Sequence, residues 1–296
     1  MTGATGRVGR LVVNELLRAG VSVRALTRRP ESAALPADVE VAAGDLTVPS
    51  SLDSAVQDVT AIFLVWTAPV GTAREVVARL AKRRIVYLSA PHRTPHPFFQ
   101  QPNPMRDLHV EIEGLLAAAS RDLTILRPGM FASNTLHWWA PQIRAGNVVR
   151  WPYAAAETAP VDERDIAAVA ARTLLDSRHA GGDYVLTGPD SSSQSAQVDA
   201  IGDVISRPLH YEELSPEEFR REAAGTWPNG VAEMLLGAWR AALGRPAFVT
   251  SAVQEILGSP ARTFREWATD HAGAFAPGDS RFTADPISVT NERTRR

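Results

Sequence analysis

The chain contains no cysteine. That absence rules out disulfides, thiolate nucleophiles and cysteine-bound metal. Neither sign of charge is in excess: 31 basic and 33 acidic residues leave a formal net charge of -2. Nothing therefore marks nucleic acid or an anionic membrane as a partner. Apolar runs stay well short of the ~20 residues that span a bilayer, so no membrane segment is expected. The first residues lack the basic-then-apolar layout of a secretory signal, and a cytoplasmic protein is the expectation. No Ser-His-Asp order, paired catalytic carboxylates or phosphate-loop lysine is present, which leaves hydrolase and kinase readings unsupported. No internal repeat is visible.

What is present is 296 residues, 45% of them hydrophobic, enough for one large α/β domain with an appended lobe. Short β-rich runs alternate with helical patterns: VSVRALT (21–27), VEVAAG (39–44), TAIFLVW (60–66), RIVYLSA (84–90) and DLTILRP (122–128). Alternation of this kind predicts a parallel sheet wrapped by helices. RVGRLVVNELLRAG (7–20) puts Val8, Leu11, Val12 and Leu16 on one face and stops at Gly20. SLDSAVQD, TAREVVARLAKR, MRDLHVEIEGLLAAAS and DERDIAAVAARTLLD read as further helices, and DYVLTGP near 183–187 as the last strand. Beyond about residue 190 the pattern is mostly helical. The expected division is a dinucleotide-binding core over 1–150 and a substrate lobe over 151–275 interleaved with that last strand. The polar, aperiodic stretch 276–296 predicts a disordered tail.

The stretch GATGRVG supplies Gly3, Thr5, Gly6, Arg7, Val8 and Gly9. Glycines at this spacing let the backbone approach a pyrophosphate whose charge rests on a helix N-terminus. The next strand runs into ALTRRPES, with no acid to hold ribose hydroxyls before Glu31. Arg28 and Arg29 there suit a 2′-phosphate, so NADP(H) is favoured over NAD(H). Asp45 and Leu46 in AAGDLT are placed to flank an adenine, and Trp66 in LVWTAP to lie near the nicotinamide ribose.

Only Met1 and Thr2 precede the glycine turn, where a central strand normally stands. Five buried apolar residues at ~1.5–3 kcal/mol each amount to roughly 8–15 kcal/mol. The expectation is therefore a natural start several residues upstream, or another segment in that place.

TGATGRVG, ALTRRP, AAGDLT, a strand ending in LSA, H-x-x-x-E, TILRPGMFASN and DYVLTGP together resemble the NmrA-like, atypical short-chain dehydrogenase/reductase family. The resemblance runs to about residue 190 and more loosely to about 272. It implies a Rossmann-type, doubly wound parallel sheet with a truncated or missing first strand and a smaller helical C-terminal substrate lobe. Members of the family include quinone reductases, reductases and isomerase-like enzymes of secondary metabolism, and NADP(H)-sensing regulators. The wider superfamily uses Tyr-x-x-x-Lys on the helix after the fifth strand. Aligned with that motif, MRDLHVEIE puts Met105 at the tyrosine and His109 at the lysine, with Glu113 one turn on.

Methionine cannot transfer a proton, so His109 becomes the candidate acid, oriented by Glu113, with Ser89 in YLSAPH as a substrate-polarising hydroxyl. The proline-rich loop 91–104, carrying His92, His96, Phe98 and Phe99, should act as a substrate lid. His92 and His96 have no further ligand pattern around them, so no metal is expected. Phe131, Trp138, Trp139, Trp151 and Tyr153 could line an apolar slot for a flat ring, with Asn134 beside it. The sequence thus predicts an NADPH-dependent reductase of a quinone, enone or aromatic ketone. A non-redox cyclase or isomerase and an NADP(H)-sensing regulator are the alternatives. The expected partner is a small aromatic or quinone-like substrate, bound by a monomer or homodimer.

Overall fold

A computed structural model describes residues 1–103, 105–225, 227 and 230–276. The tail expected to be disordered lies outside the described residues from 277 onward. The chain begins with α1 (Arg7–Arg18), β1 (Val23–Thr27), β2 (Val39–Ala43), β3 (Ala61–Val65), α2 (Ala73–Leu80), β4 (Arg84–Leu88), α3 (Arg106–Ala119) and β5 (Leu123–Pro128). It continues through α4 (Asn134–Trp138), α5 (Ala140–Ala145), β6 (Val148–Pro152), β7 (Glu157–Thr158), α6 (Glu163–Leu175), β8 (Asp183–Leu186) and β9 (Ser192–Ser193). The C-terminal part adds α7 (Gln194–Val204), β10 (His210–Leu214), α8 (Pro216–Ala223), α9 (Val231–Ala242), α10 (Ala252–Leu257) and α11 (Phe264–Asp270).

β3, β4, β5 and β8 form a parallel sheet in the order β3-β4-β5-β8. Both faces are covered, which is why these strands read as continuous apolar runs rather than alternating ones. α1 and α6 cover one face through Val8, Val12, Ile166 and Val169, while α2 and α3 cover the other through Val76, Val77, Ile112 and Leu116. β1 and β2 pair in parallel as a separate ribbon. SLDSAVQD is not an α-helix. It holds the end of a 3₁₀ turn, Pro49–Leu52, and then bends, with Asp58 at φ 59°. Ser and Asp side chains compete for the backbone in so short a stretch, which favours turns over helix.

Met1 and Thr2 stand between β1 and β3. The Thr2 N–H donates to the Phe63 carbonyl at 3.0 Å, and the Leu26 N–H donates to the Met1 carbonyl at 2.8 Å. The Thr2 hydroxyl donates to the Val65 carbonyl at 2.8 Å and accepts from its N–H at 2.7 Å. Two residues thus hold the place of the central strand. Behind them runs a trough of about 610 Å³ walled by Leu16, Val23, Ile62, Phe63, Leu80 and Leu174. Among the described residues no other segment enters it.

A second core lies in the C-terminal lobe, where Trp138, Trp139, Trp151, Phe219, Trp239 and Trp267 meet. Two of its helices carry reciprocal caps. Ser215 with Glu218 and Thr263 with Glu266 form reciprocal capping boxes at α8 and α11.

Candidate active site

The glycine turn hangs directly from Thr2. Gly3 adopts φ 65°, a left-handed conformation that a side chain would strain, and an added methyl there would meet the Val65 side chain at 3.0 Å. A methyl at Gly9 would lie 1.9 Å from the Gly3 carbonyl oxygen. The backbone therefore folds onto itself in a way only glycine permits. Gly6 caps α1 without any side-chain hydrogen bond, so the first-turn N–H groups remain available to an anion.

A cleft of about 470 Å³ opens beside this turn. Gly3, Thr5, Arg28, Arg29, Asp45, Leu46 and Trp66 all line it. Arg28 and Arg29 are exposed, and among the described residues neither guanidinium forms an ion pair. Asp45 is engaged in shaping the turn: its carboxylate accepts from the Thr47 N–H at 2.8 Å. Leu46 and Trp66 are buried, and the Trp66 indole N–H donates to the Ala68 carbonyl at 2.5 Å. Val8 faces the core, so only its backbone could serve a ligand. Arg7 reaches away to α4, contacting His137 at 2.6 Å and the Ser133 carbonyl at 3.4 Å. It ties the glycine turn to the first helix of the lobe.

Glycine turn, uncapped helix start and free arginines together fit a dinucleotide. Met105, the residue that caps α3, and Leu108 of α3 also line this cleft. Met105 is the residue that the expected alignment sets at the superfamily's phenol position.

Behind this wall lies a buried polar cluster. Glu113 is bonded by both Arg127 guanidinium nitrogens, at 2.7 and 2.8 Å, and by the Ser89 hydroxyl at 2.5 Å. Arg127 also binds Asp183 at 2.5 and 2.9 Å and the Ala90 carbonyl at 2.9 Å. The structure brings Ser89 and Glu113 together, but it does not make Glu113 the orienting partner of His109. The carboxylate is already taken. Instead the Tyr87 hydroxyl sits 2.8 Å from Nδ1 of His109.

His109, the candidate acid, is also shifted away from the range in which an imidazole ordinarily titrates. Burial pushes its pKa from 6.5 down to about 4, with His92 and Arg127 adding to the shift and Glu113 opposing it. Burial likewise lowers His92, whose ring nitrogens are buried without hydrogen bonds, 3.7 Å from Glu113 at the nearest.

In the stretch 91–103 of the expected lid, His96 Nε2 lies 3.2 Å from the Pro246 carbonyl. With Phe98, Phe99, Met130, Thr187 and Phe248 it encloses a niche of only about 10 Å³. Phe131 is half-buried and bridges Val161, and Asn134 opens α4 next to it. Trp138, Trp139 and Trp151 do not line a slot. Trp138 stacks on Trp151 at 5.6 Å and meets Trp239 edge-on at 5.5 Å, so these rings make the lobe core. Aromatic density announces burial, but it does not say whether a ring faces a cavity.

A family model described as NAD(P)H-binding matches residues 3–177, more than half of the chain. The chain belongs to the NAD(P)H-binding, NmrA-like family of atypical short-chain dehydrogenases/reductases. It is 39% identical over 287 residues to a (4-alkanoyl-5-oxo-2,5-dihydrofuran-3-yl)methyl phosphate reductase of Streptomyces griseus, covering 94% of this chain and 99% of that one. It is 30% identical over 291 residues to an NAD(P)H azoreductase of Xenophilus azovorans, covering 93% and 98%. Among solved structures it resembles an NADPH-dependent quinone oxidoreductase of Escherichia coli in complex with NADPH. That likeness has a TM-score of 0.75 and 26% identity, and covers 91% of this chain and 98% of the other. The chain is an NAD(P)H-dependent oxidoreductase of this family.

Tyr87 was invisible to the sequence reading because an aromatic inside a buried strand looks like core. Its place two residues before Ser89, at the end of β4, is the available signal.

Proposed function

We propose that this reductase uses NADPH to reduce a conjugated carbonyl compound: a quinone, an enone or an unsaturated lactone. The observation that carries the reading is Met105 on the wall of the cofactor cleft, where a proton-donating phenol would serve an isolated ketone. Reduction of a conjugated acceptor produces a delocalised, weakly basic anion, which needs only a hydrogen-bond donor and then a solvent proton. The full-length relative from Streptomyces, named for an unsaturated lactone with a conjugated acyl group, supports the same class. The relatives named for quinone and azo reduction share that electron demand.

The residues divide the work as follows. Gly3, Gly6 and Gly9 with the start of α1 bind the pyrophosphate. Arg28 and Arg29 hold the 2′-phosphate and set the preference for NADPH. Bound NADPH supplies the hydride. The niche among Phe98, Phe99 and Met130 must widen to admit a flat acceptor, which those side chains and Phe131 then contact, while the loop carrying Phe98 and Phe99 excludes water over it.

Following NADPH absorbance with a panel of acceptors tests this reading. A benzoquinone and a 2-acyl butenolide should be reduced with one NADPH consumed per product, while a simple aryl ketone should not. Product formed without NADPH consumption, or equal rates on the simple ketone, would overturn it.

A further inference from the structure

Ile85 and Tyr87 share one side of β4, the side that α3 covers, and Ser89 just past the strand end bonds Glu113 of α3. Tyr87 is fully buried there, and its ring lies 5.8 Å from that of His109 with a 52° tilt. Among the described residues the phenol makes one hydrogen bond, to Nδ1 of His109 at 2.8 Å. A phenol carries a single proton. If Nδ1 were protonated, the Tyr87 O–H would be left without an acceptor inside the protein, an arrangement native structures avoid. The pairing therefore runs from Tyr87 O–H to an unprotonated Nδ1. His109 also stands one helical turn from Met105, on the same side of α3, and its N–H donates to the Met105 carbonyl at 3.1 Å.

We propose that Tyr87 is a positioning residue: it locks His109 as the Nε2–H tautomer and so presents a fixed, neutral hydrogen-bond donor beside the cofactor cleft. Burial, and then the charge of Glu113, raise the Tyr87 pKa far above the ordinary phenol value, so the donor stays protonated throughout the working range. The inference rests on the reductase reading in one respect only. The acceptor for Nε2–H is the substrate oxygen that gains negative charge as hydride arrives. His109 stabilises that oxygen by hydrogen bonding, and the proton that completes reduction comes from solvent.

The test is ¹⁵N NMR of histidine-labelled protein, with the His109 signals assigned by their loss in H109Q. In the unmodified protein Nδ1 should be pyridine-like and Nε2 pyrrole-like, before and after NADP⁺ is added. In Y87F the Nδ1–H form should gain population, and kcat should fall about tenfold with the substrate KM changed less than about twofold. In an H109A background, Y87F should have no further effect on kcat. A protonated Nδ1 in the unmodified protein, or an unchanged tautomer in Y87F, would sink the proposal. The first of these needs no variant, so a misfolded Y87F does not protect it. The tautomer is read without turnover, so failure of the proposed activity and failure of this inference remain distinct.

Discussion

Glu113 and Arg127 meet through paired hydrogen bonds of 2.7 and 2.8 Å, with each side chain only 1% exposed. A bidentate pair this deep is costly to break, because the surviving charge keeps its burial and loses its partner. E113A should therefore destabilise the protein by about 3–5 kcal/mol, read from urea midpoints at constant slope. A loss below about 1 kcal/mol would show that water or a rearranged Asp183 compensates. Burial alone would raise the Glu113 pKa, but the hydrogen bonds from Arg127 and Ser89 outweigh it and hold the group below its ordinary 4.5. The folded chain thus binds this proton less readily than the unfolded one. The pair's contribution is complete above pH 4.5 and is lost as the pH falls below it.

On the proposed function, the exposed guanidinium groups of Arg28 and Arg29 should carry the preference for NADPH. R28A/R29A should weaken NADPH binding by about tenfold to a hundredfold and NADH binding by less than about threefold. Fluorescence titration of both cofactors decides the matter. Equal losses for NADPH and NADH would remove these residues from 2′-phosphate recognition.

His109 should contribute no titration to kcat across about pH 5.5 to 8, the range in which an ordinary histidine would change charge. Between pH 6.5 and about 4 the unfolded chain takes up a proton that folded His109 refuses. Stability therefore declines as the pH falls through that window, and H109Q should reduce the slope. A kcat limb near neutrality that disappears in H109A would contradict this.

The trough between β1 and β3 should accept a strand. Placing about five alternating valine and isoleucine residues before Met1 should raise the melting temperature by several degrees or more, since up to roughly 1.5–3 kcal/mol per buried side chain is available. Five serines in the same place should not. Equal melting points for the two extensions would mean that the trough closes without help.

The sheet is legible from its strands because IFLV, IVYL and LTILRP are largely buried on both faces and, Thr124 and Arg127 apart, carry few polar residues to confuse the pattern. The glycine turn was legible because steric demand leaves a spelling that other structures rarely need: Gly9 cannot carry a methyl. The polar cluster was only half legible. Glu113 and Ser89 stood out as chemistry, yet their mutual bond and the capture of Glu113 by Arg127 arise from strands and a helix brought together across many residues. Tyr87 left no trace, since nothing local separates a phenol that bonds a histidine from one that merely fills space. The tryptophans misled for the converse reason. Their number promised a large apolar surface, and only tertiary packing decided that Trp138, Trp151 and Trp239 spend it on one another.

The division of the sheet gives the cleft a mechanical role. β1 and β2, bearing Arg28 and Arg29, form one plate, and β3, β4, β5 and β8, bearing Trp66 and Ser89, form another. Among the described residues, backbone bonds of Met1 and Thr2 join them within the sheet plane. A dinucleotide lying across Arg28 on one plate and Trp66 on the other would act as a clasp over a hinge. Cofactor occupancy and the rigidity of the sheet would then be one equilibrium, and amide exchange in β1 and β2 would slow in step with cofactor saturation. In such a molecule the ligand completes the scaffold that holds it.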